Sequence, residues 1–193
     1  MSDLEQSLKK AIESGDLALP VLPTVSAEVI SLTQNPDSDA KQLAQLIQSD
    51  QSLAGYVMRM ANSAAFNSVG KIQTLQQAIS KLGMRQVGQM ALTISVGESV
   101  FKASVSTQQI VEYLWRHALA SGLWSRELAR TCKTNAEVAF MCGLLHQIGK
   151  PVIVHAVVQL NGGESELKEH KLMLDLVNRY HKICLLYTSD AAD

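Results

Sequence analysis

The stretch Gly143-Leu144-Leu145-His146-Gln147-Ile148-Gly149-Lys150 decides how the rest of this sequence is interpreted. It closes a strongly apolar run of helical character, and Pro151 follows it at once. Glycine commonly ends helices and proline is tolerated in the first turn of a new one. The stretch therefore predicts the end of one helix and the start of another, with the polar pair His146-Gln147 between them.

Composition predicts a helical protein without a nucleic-acid or membrane partner. The chain has 193 residues, 47% of them hydrophobic and only 5% aromatic, which is enough for one domain with an aliphatic core. A net charge of −1 leaves no electrostatic footprint for nucleic acid or for an anionic membrane. The cysteines show no CxxC spacing and no disulfide pattern, and the N-terminus has no basic or apolar signal region. No apolar run approaches the ~20 residues of a membrane span. We therefore expect a cytoplasmic protein.

The spacing of apolar residues predicts helices along the whole chain. Capping residues are expected at Thr24, at Ser38 or Asp39, and at Asp50, and a capping box at Ser106 and Gln109. Further caps are expected at Thr74 and Asn135. An extended segment is expected over Leu19–Pro23, and a loop over 161–163. The predicted helices cover 3–14, the segments after Thr24, Asp39 and Asp50, 74–82, 84–101, about 106–131, the segments after Asn135 and Pro151, and about 164–182.

The two central histidines are predicted to point inward. In the helix over about 106–131, one face carries His117 among apolar residues, namely Ile110, Leu114, Trp124 and Leu128. His146 follows Cys142 by four residues on the next helix, so it should point inward toward His117. Both are expected to be neutral core histidines with hydrogen-bond partners.

Two family resemblances rest on motifs spread over most of the chain. Residues 143–150 resemble the GLLHDIGK stretch of the HD superfamily of metal-dependent phosphohydrolases, and His117 matches a second histidine of that superfamily. A more specific resemblance is to the HDOD family, the HD-related output domains of bacterial signalling proteins. Its pieces here are Leu19-Pro20-Val21-Leu22-Pro23, Leu43-Ala44-Gln45-Leu46-Ile47, Met58-Arg59-Met60-Ala61-Asn62-Ser63-Ala64 and residues 72–83. The resemblance implies an all-α, compact multi-helix HD-like fold.

Gln147 stands where the HD superfamily has its metal-binding aspartate. A glutamine supplies one neutral oxygen and cannot offset the charge of a divalent ion or bridge two ions. We therefore expect no metal, no cofactor and no catalysis at His117, His146 and Gln147. The resemblance then implies a regulatory module that contacts a signalling protein or a fused signalling domain. The alternatives are a degenerate phosphohydrolase acting on a nucleotide or signalling phosphoester, and a small-ligand sensor between the two histidines.

Four further polar residues are candidates for contacts with a partner or ligand. Asn62 and Ser63 are interpreted first as a helix end, where both side chains bond nearby amides, and second as a contact site. Arg59 could face a partner or pair with an acid. His181 lies where the HDOD family has a further histidine before its closing helices.

The last ten residues, 184–193, are predicted not to be native. Cys184-Leu-Leu-Tyr-Thr-Ser-Asp-Ala-Ala-Asp193 resembles the translation of a transposon-end adaptor used in sequencing libraries. The helical pattern also stops there abruptly. We therefore expect a C-terminally truncated domain over residues 1–183, with core motifs in 19–182 and a native sequence that continues past Ile183.

Overall fold

The computed structural model describes residues 3–17, 23–66, 70–161 and 170–189. Every regular element in those ranges is an α-helix, which confirms the all-α prediction. The β-branched run after Pro151 is helical as predicted. The helices are α1 (Asp3–Glu13), α2 (Thr24–Gln34), α3 (Ala40–Ile47), α4 (Gln51–Ala61), α5 (Leu75–Leu82), α6 (Met84–Ser99), α7 (Gln108–Thr131), α8 (Ala136–Leu145), α9 (Gly149–Leu160) and α10 (His170–Ser189).

Packing divides the chain into two compact units. Unit 1 consists of Met1–Pro20 and Val100–Asp193, and unit 2 consists of Val21–Ser99. A single domain over residues 1–183 therefore stays a prediction.

Unit 2 contains α2 to α6 around an aliphatic core. Asp39 caps α3 in a capping box with Gln42, Asp50 caps α4, and Thr74 caps α5, as the sequence predicts. Thr24 was expected as a cap, but it is the first residue of α2, and Pro23 precedes it without a side-chain cap. The core side chains include Val29, Leu43, Ile47, Leu53, Val57, Ile79 and Val87.

Unit 1 contains α1 and α7 to α10. Helix α1 packs on α9 and α10 through Leu8 and Ile12, both buried. The carboxylate of Glu5, also buried, accepts hydrogen bonds from the Arg179 guanidinium and, at 3.2 Å, from the Tyr180 hydroxyl. A buried carboxylate must be paired and hydrogen-bonded to be tolerated, so these donors allow α1 to dock with a charge inside.

Two boundary predictions, for α7 and for α10, differ from the structure. Helix α7 begins at Gln108 after Thr107 and has no side-chain cap there, so the capping box at Ser106 was wrong. The hydroxyls of Ser104, Ser106 and Thr107 bond to one another instead, at 3.1 and 2.9 Å. Helix α10 continues to Ser189 rather than ending near 182. Residues 19–22 of the extended segment, 162–163 of the loop, 164–169 of the last predicted helix and 190–193 of the tail lie outside the described residues.

Among the described residues one stretch, Ala136–Leu160, is long and apolar enough to cross a membrane by length and composition alone, which differs from the expectation that no apolar run approaches that length. It corresponds to α8 and α9, and half of its apolar window is buried inside the protein. Core helices of globular proteins pass the same test.

Candidate functional site

Helices α7 and α8 cross at a contact between two glycines, and this crossing positions the central histidines. A Cβ added at Gly143 would lie 2.6 Å from the carbonyl oxygen of Ser121 and 2.8 Å from the Cα of Gly122. At Gly122 it would lie 3.1 Å from the carbonyl oxygen of Phe140. The chain runs in opposite directions in the two helices, since residues after Gly122 contact residues before Gly143. The two backbones approach this closely because neither position carries a side chain.

His117 and His146 lie one turn from this crossing and face each other. Their ring centroids are 5.4 Å apart, with an angle of 53° between the ring planes. This geometry agrees with the expectation that His146 points toward His117. His146 is the C-terminal cap of α8, and its Nδ1 lies 2.8 Å from the carbonyl oxygen of Gly143. A carbonyl can only accept, so this hydrogen bond requires a proton on Nδ1.

The expectation that both histidines are core residues was wrong. His117 and His146 are both exposed, as are Trp124 and Leu128, which share the face of α7 with His117. The buried face of α7 instead carries Val111, Leu114, Ala118, Gly122 and Ala129. Small residues allow the close contact with α8, and this contact turns the bulkier apolar face toward solvent.

The residues around the histidines do not fit a catalytic metal ion. Gln147 is half-buried beside His146 and offers no carboxylate. Among the described residues, no group of three or more His, Cys, Asp or Glu side chains could hold a metal ion. Two imidazole nitrogens without an anionic ligand leave the charge of a divalent ion uncompensated, and activation of water requires a held ion with an open position.

Asn62 has a structural role within unit 2. Its side-chain amide donates to the carbonyl oxygens of Met58 and Ile72, both at 3.0 Å, and its side-chain oxygen accepts from the Ile72 N–H at 2.9 Å. The side chain thus pairs with Ile72 as a strand neighbour would and closes the segment between α4 and α5. These bonds agree with the interpretation of Asn62 as a helix end, and they use most of the hydrogen-bonding capacity of its side-chain amide.

Each of the other candidate contact residues has a partner a few residues away in the chain. The Ser63 hydroxyl donates to the Met60 carbonyl at 2.8 Å, and the exposed Arg59 guanidinium lies 5.9 Å from the centroid of the Tyr56 ring. His181, on α10, has its Nδ1 3.0 Å from the Val177 carbonyl oxygen. Their role as partner or ligand contacts stays a prediction.

Both histidine rings are exposed, and a small-ligand site between them stays a prediction. An open, shallow depression occurs in unit 2. It contains neither histidine and is lined by Thr74, Gln76, Gln77, Ser80 and Lys81.

Comparison with protein families decides between the two resemblances. The model of the HDOD domain matches residues 19–180, which span α2 to α10 and include both histidines and Gln147. The chain belongs to the HDOD domain family. HDOD domains are related to the HD domains, and the assignment of His117, His146 and Gln147 to the positions of an HD-type site stays a prediction.

Related proteins and structures agree with this assignment at the level of the fold. An uncharacterized protein of Treponema pallidum (strain Nichols) is 26% identical over 144 residues, which are 74% of this chain and 27% of that protein. The chain thus spans about a quarter of the length of this curated relative. An HDOD domain protein from Geobacter sulfurreducens, with unknown function, is 21% identical with a TM-score of 0.58, over 96% of this chain and 70% of that one.

Another similar structure carries an enzymatic name. It is a Shewanella amazonensis SB2B protein, named as a candidate metal-dependent phosphohydrolase. It is 20% identical with a TM-score of 0.73, over 100% of this chain and 72% of that one. At this identity the likeness extends to the fold and not to the activity.

Exposed apolar side chains on α7 and α8 are the feature of this HDOD domain that sequence reasoning missed. On α7, Tyr113 is 70% exposed, Trp124 71% and Leu128 63%, and on α8, Val138 is 54% exposed. Met141 on α8 is exposed as well. On each helix, large apolar side chains exposed together mark a candidate interaction surface. The close Gly122–Gly143 contact is the signal that could have revealed them, since it fixes which face of each helix is buried.

Proposed function

We propose that this HDOD domain is a non-catalytic regulatory output module of bacterial signal transduction that works in the cytoplasm. It acts through contacts between its helix surfaces and a signalling protein or a fused signalling domain, and not through nucleic acid or membrane. The observation that carries the proposal is the site itself. The HD-type pair is His146-Gln147, and the described surroundings supply no set of anionic ligands for a metal.

The exposed surface of α8 supports a role in protein contacts. Val138, Met141 and Cys142 are exposed on it, and His146 follows at its end. The cores of protein interfaces are depleted in charged residues and enriched in methionine and aromatic residues. Val138, Met141 and Cys142 bring no charge to this surface, which suits it to be buried against a partner.

A hydrolysis assay tests the proposal that the domain is non-catalytic. The purified chain and a His117→Ala/His146→Ala control should be incubated with manganese, iron, magnesium or zinc. Model phosphodiesters, nucleotides and cyclic dinucleotides serve as substrates. We expect the same background rate from both proteins. Turnover by the parent that the double variant lacks would refute the proposal.

A binding assay tests the proposal that the domain acts through contacts with a signalling partner. Signalling domains encoded beside the gene should be titrated against the chain by calorimetry. Val138→Glu should weaken the complex at least about tenfold, because a buried unpaired carboxylate costs more than ~1.4 kcal/mol. The control is Gln159→Glu on α9, which adds the same charge at another exposed position. Equal loss in both variants would mean that charge alone weakens binding and that α8 is not the contact surface.

The alternative is a degenerate metal-dependent phosphohydrolase acting on a nucleotide or signalling phosphoester. One observation favours it, the two imidazole rings with centroids 5.4 Å apart. The same hydrolysis assay decides between the two functions.

A further inference from the structure

Helix α7 carries an apolar stripe along its exposed face. Its members are spaced by three or four residues, so they lie on one line along the helix. At ~1.5 Å per residue the stripe is roughly 22 Å long. We call it the α7 stripe, and it consists of Tyr113, His117, Ala120, Trp124 and Leu128, all exposed.

The stripe is large for a surface that stays in water. An aromatic side chain offers about 150–250 Å², so Tyr113 and Trp124, each about 70% exposed, present roughly 200–350 Å² together. A standard interface buries about 800 Å² per partner. The two aromatic rings alone would supply roughly a third of that area, with Leu128, His117, Ala120 and the flanking side chains beside them.

Two ion pairs flank the stripe on one side. Arg116 lies 2.6 Å from Glu112, and Arg130 lies 2.9 Å from Glu127. Arg116 and Glu127 are separated by eleven residues, about three helical turns, so both pairs lie on the same flank. All four side chains are at least half exposed and can contact a second molecule.

The charges on α7 are complementary between two copies of the helix that run in opposite directions. If two α7 helices pack antiparallel with Ala120 opposite Trp124 of the second copy, Arg116 comes opposite Glu127 within one residue. In the same register Glu112 comes opposite Arg130 within two residues. In a parallel two-fold pair the charged flanks of the two copies would lie on opposite edges of the interface and could not pair with each other. Two-fold interfaces use the same surface on both copies, and charge complementarity fixes their register.

We propose that the α7 stripe is a homodimer surface, on which α7 of a second copy of this chain packs antiparallel. Trp124 of each copy lies against Ala120 of the other, where the small side chain leaves room for the ring. The four charges join into a network along one edge of the interface, with acid facing base across the two-fold axis.

Charge reversal tests both the surface and the register. Variant one is Glu112→Arg/Arg116→Glu, and variant two is Glu127→Arg/Arg130→Glu. Each keeps the net charge and the opposite signs of its intrahelical pair. Each by itself opposes like charges in the antiparallel dimer. Mixed together, the two variants restore an acid opposite a base at all four positions.

The measurement is the molar mass of the full chain by analytical ultracentrifugation over a wide concentration range. We expect the parent to form dimers and each variant alone to stay monomeric at the same concentrations. The equimolar mixture should return to dimers. Circular dichroism and thermal melts of each variant show whether α7 is still folded.

Trp124→Ala provides a second test at an exposed position. Tryptophans in interface cores often contribute at least ~2 kcal/mol, so we expect the dimer dissociation constant to rise about thirtyfold or more. A monomeric parent overturns the proposal. So does dimerisation of both charge variants alone, a mixture that stays monomeric, or an unchanged dissociation constant for Trp124→Ala.

Discussion

The substitution Gly143→Ala tests whether the α7–α8 crossing is as close as the structure shows. Gly143 has no room for a methyl group, because the three nearest atoms lie 2.6 to 2.8 Å from the position of its Cβ. Two of these atoms belong to the backbone of α7, at Ser121 and Gly122, and cannot rotate away as the third, the hydroxyl oxygen of Ser125, could. The helices must separate locally to accept the methyl group.

The expected change in the free energy of unfolding has two opposing parts. Alanine in a helix is favoured over glycine by about 1 kcal/mol. Overpacking in a closely packed region costs about 1–3 kcal/mol, and contact with rigid backbone belongs at the upper end of that range. The net result is a loss of about 2 kcal/mol. For a chain of this length that corresponds to a melting temperature lower by about 4–8 °C.

Two matched glycines serve as controls in the same assay, a thermal melt followed by circular dichroism. At Gly122 the nearest atoms are 3.1 to 3.3 Å away, so Gly122→Ala should nearly balance its two effects. At Gly55 the nearest atom is the tip of the Arg59 side chain, at 3.3 Å, which can move aside. Gly55→Ala should therefore stabilise the protein by up to about 1 kcal/mol.

The site gives a second readout of the same substitution. Separation of α7 and α8 should move His146 away from His117 and weaken the nuclear Overhauser contacts between their ring protons. If Gly143→Ala is as stable as Gly55→Ala and keeps these contacts, the helices do not cross closely at Gly143. The reasoning that this crossing sets the histidine pair would then be wrong.

Three other substitutions or truncations test separate statements by thermal melts. Asn62→Ala leaves the N–H and carbonyl of Ile72 without their side-chain partner, so it should lower the free energy of unfolding by about 1–3 kcal/mol. The control, Ser63→Ala, should lower it by less than about 0.5 kcal/mol. Equal effects would contradict the structural role of Asn62. Gln147→Asp adds an unpaired carboxylate beside His146 and should lower the melting temperature without metal, with partial recovery in manganese or zinc, which bind the folded state. No shift and no metal response would show that position 147 is not part of an HD-type site. Truncation after Ile183 should leave the melting temperature within about 1–2 °C of the parent, and a larger drop would show that the tail is packed.

Helices and their caps were the most predictable part of this fold. Asp50, Thr74 and Asn135 cap the helices that the sequence assigned to them, with side-chain oxygens accepting from backbone N–H groups two or three residues later. Such caps are local, because the donor and the acceptor are near each other in the chain. The failure at Ser106 is of the same local kind, since three neighbouring hydroxyls bond to one another and leave the helix end uncapped.

The candidate site was only partly predictable. The motif located His117 and His146 at one site, and helical spacing indicated that they face each other. Their exposure could not be read from α7 alone, because both of its faces carry apolar residues. The sequence assigned the bulky face with Trp124 to the core, whereas the face with Ala118 and Gly122 is the buried one.

The helices and the HDOD family could be predicted from the sequence alone, and the interpretation of Gln147 as the replacement of a carboxylate stays a prediction. These depend on local periodicity, on capping and on the chemistry of single side chains. Only the tertiary structure decided which faces are buried, because burial depends on how closely two helices approach. Here two glycines bring the backbones together. Contact between small residues at that crossing leaves the histidine pair and the larger apolar side chains at the surface.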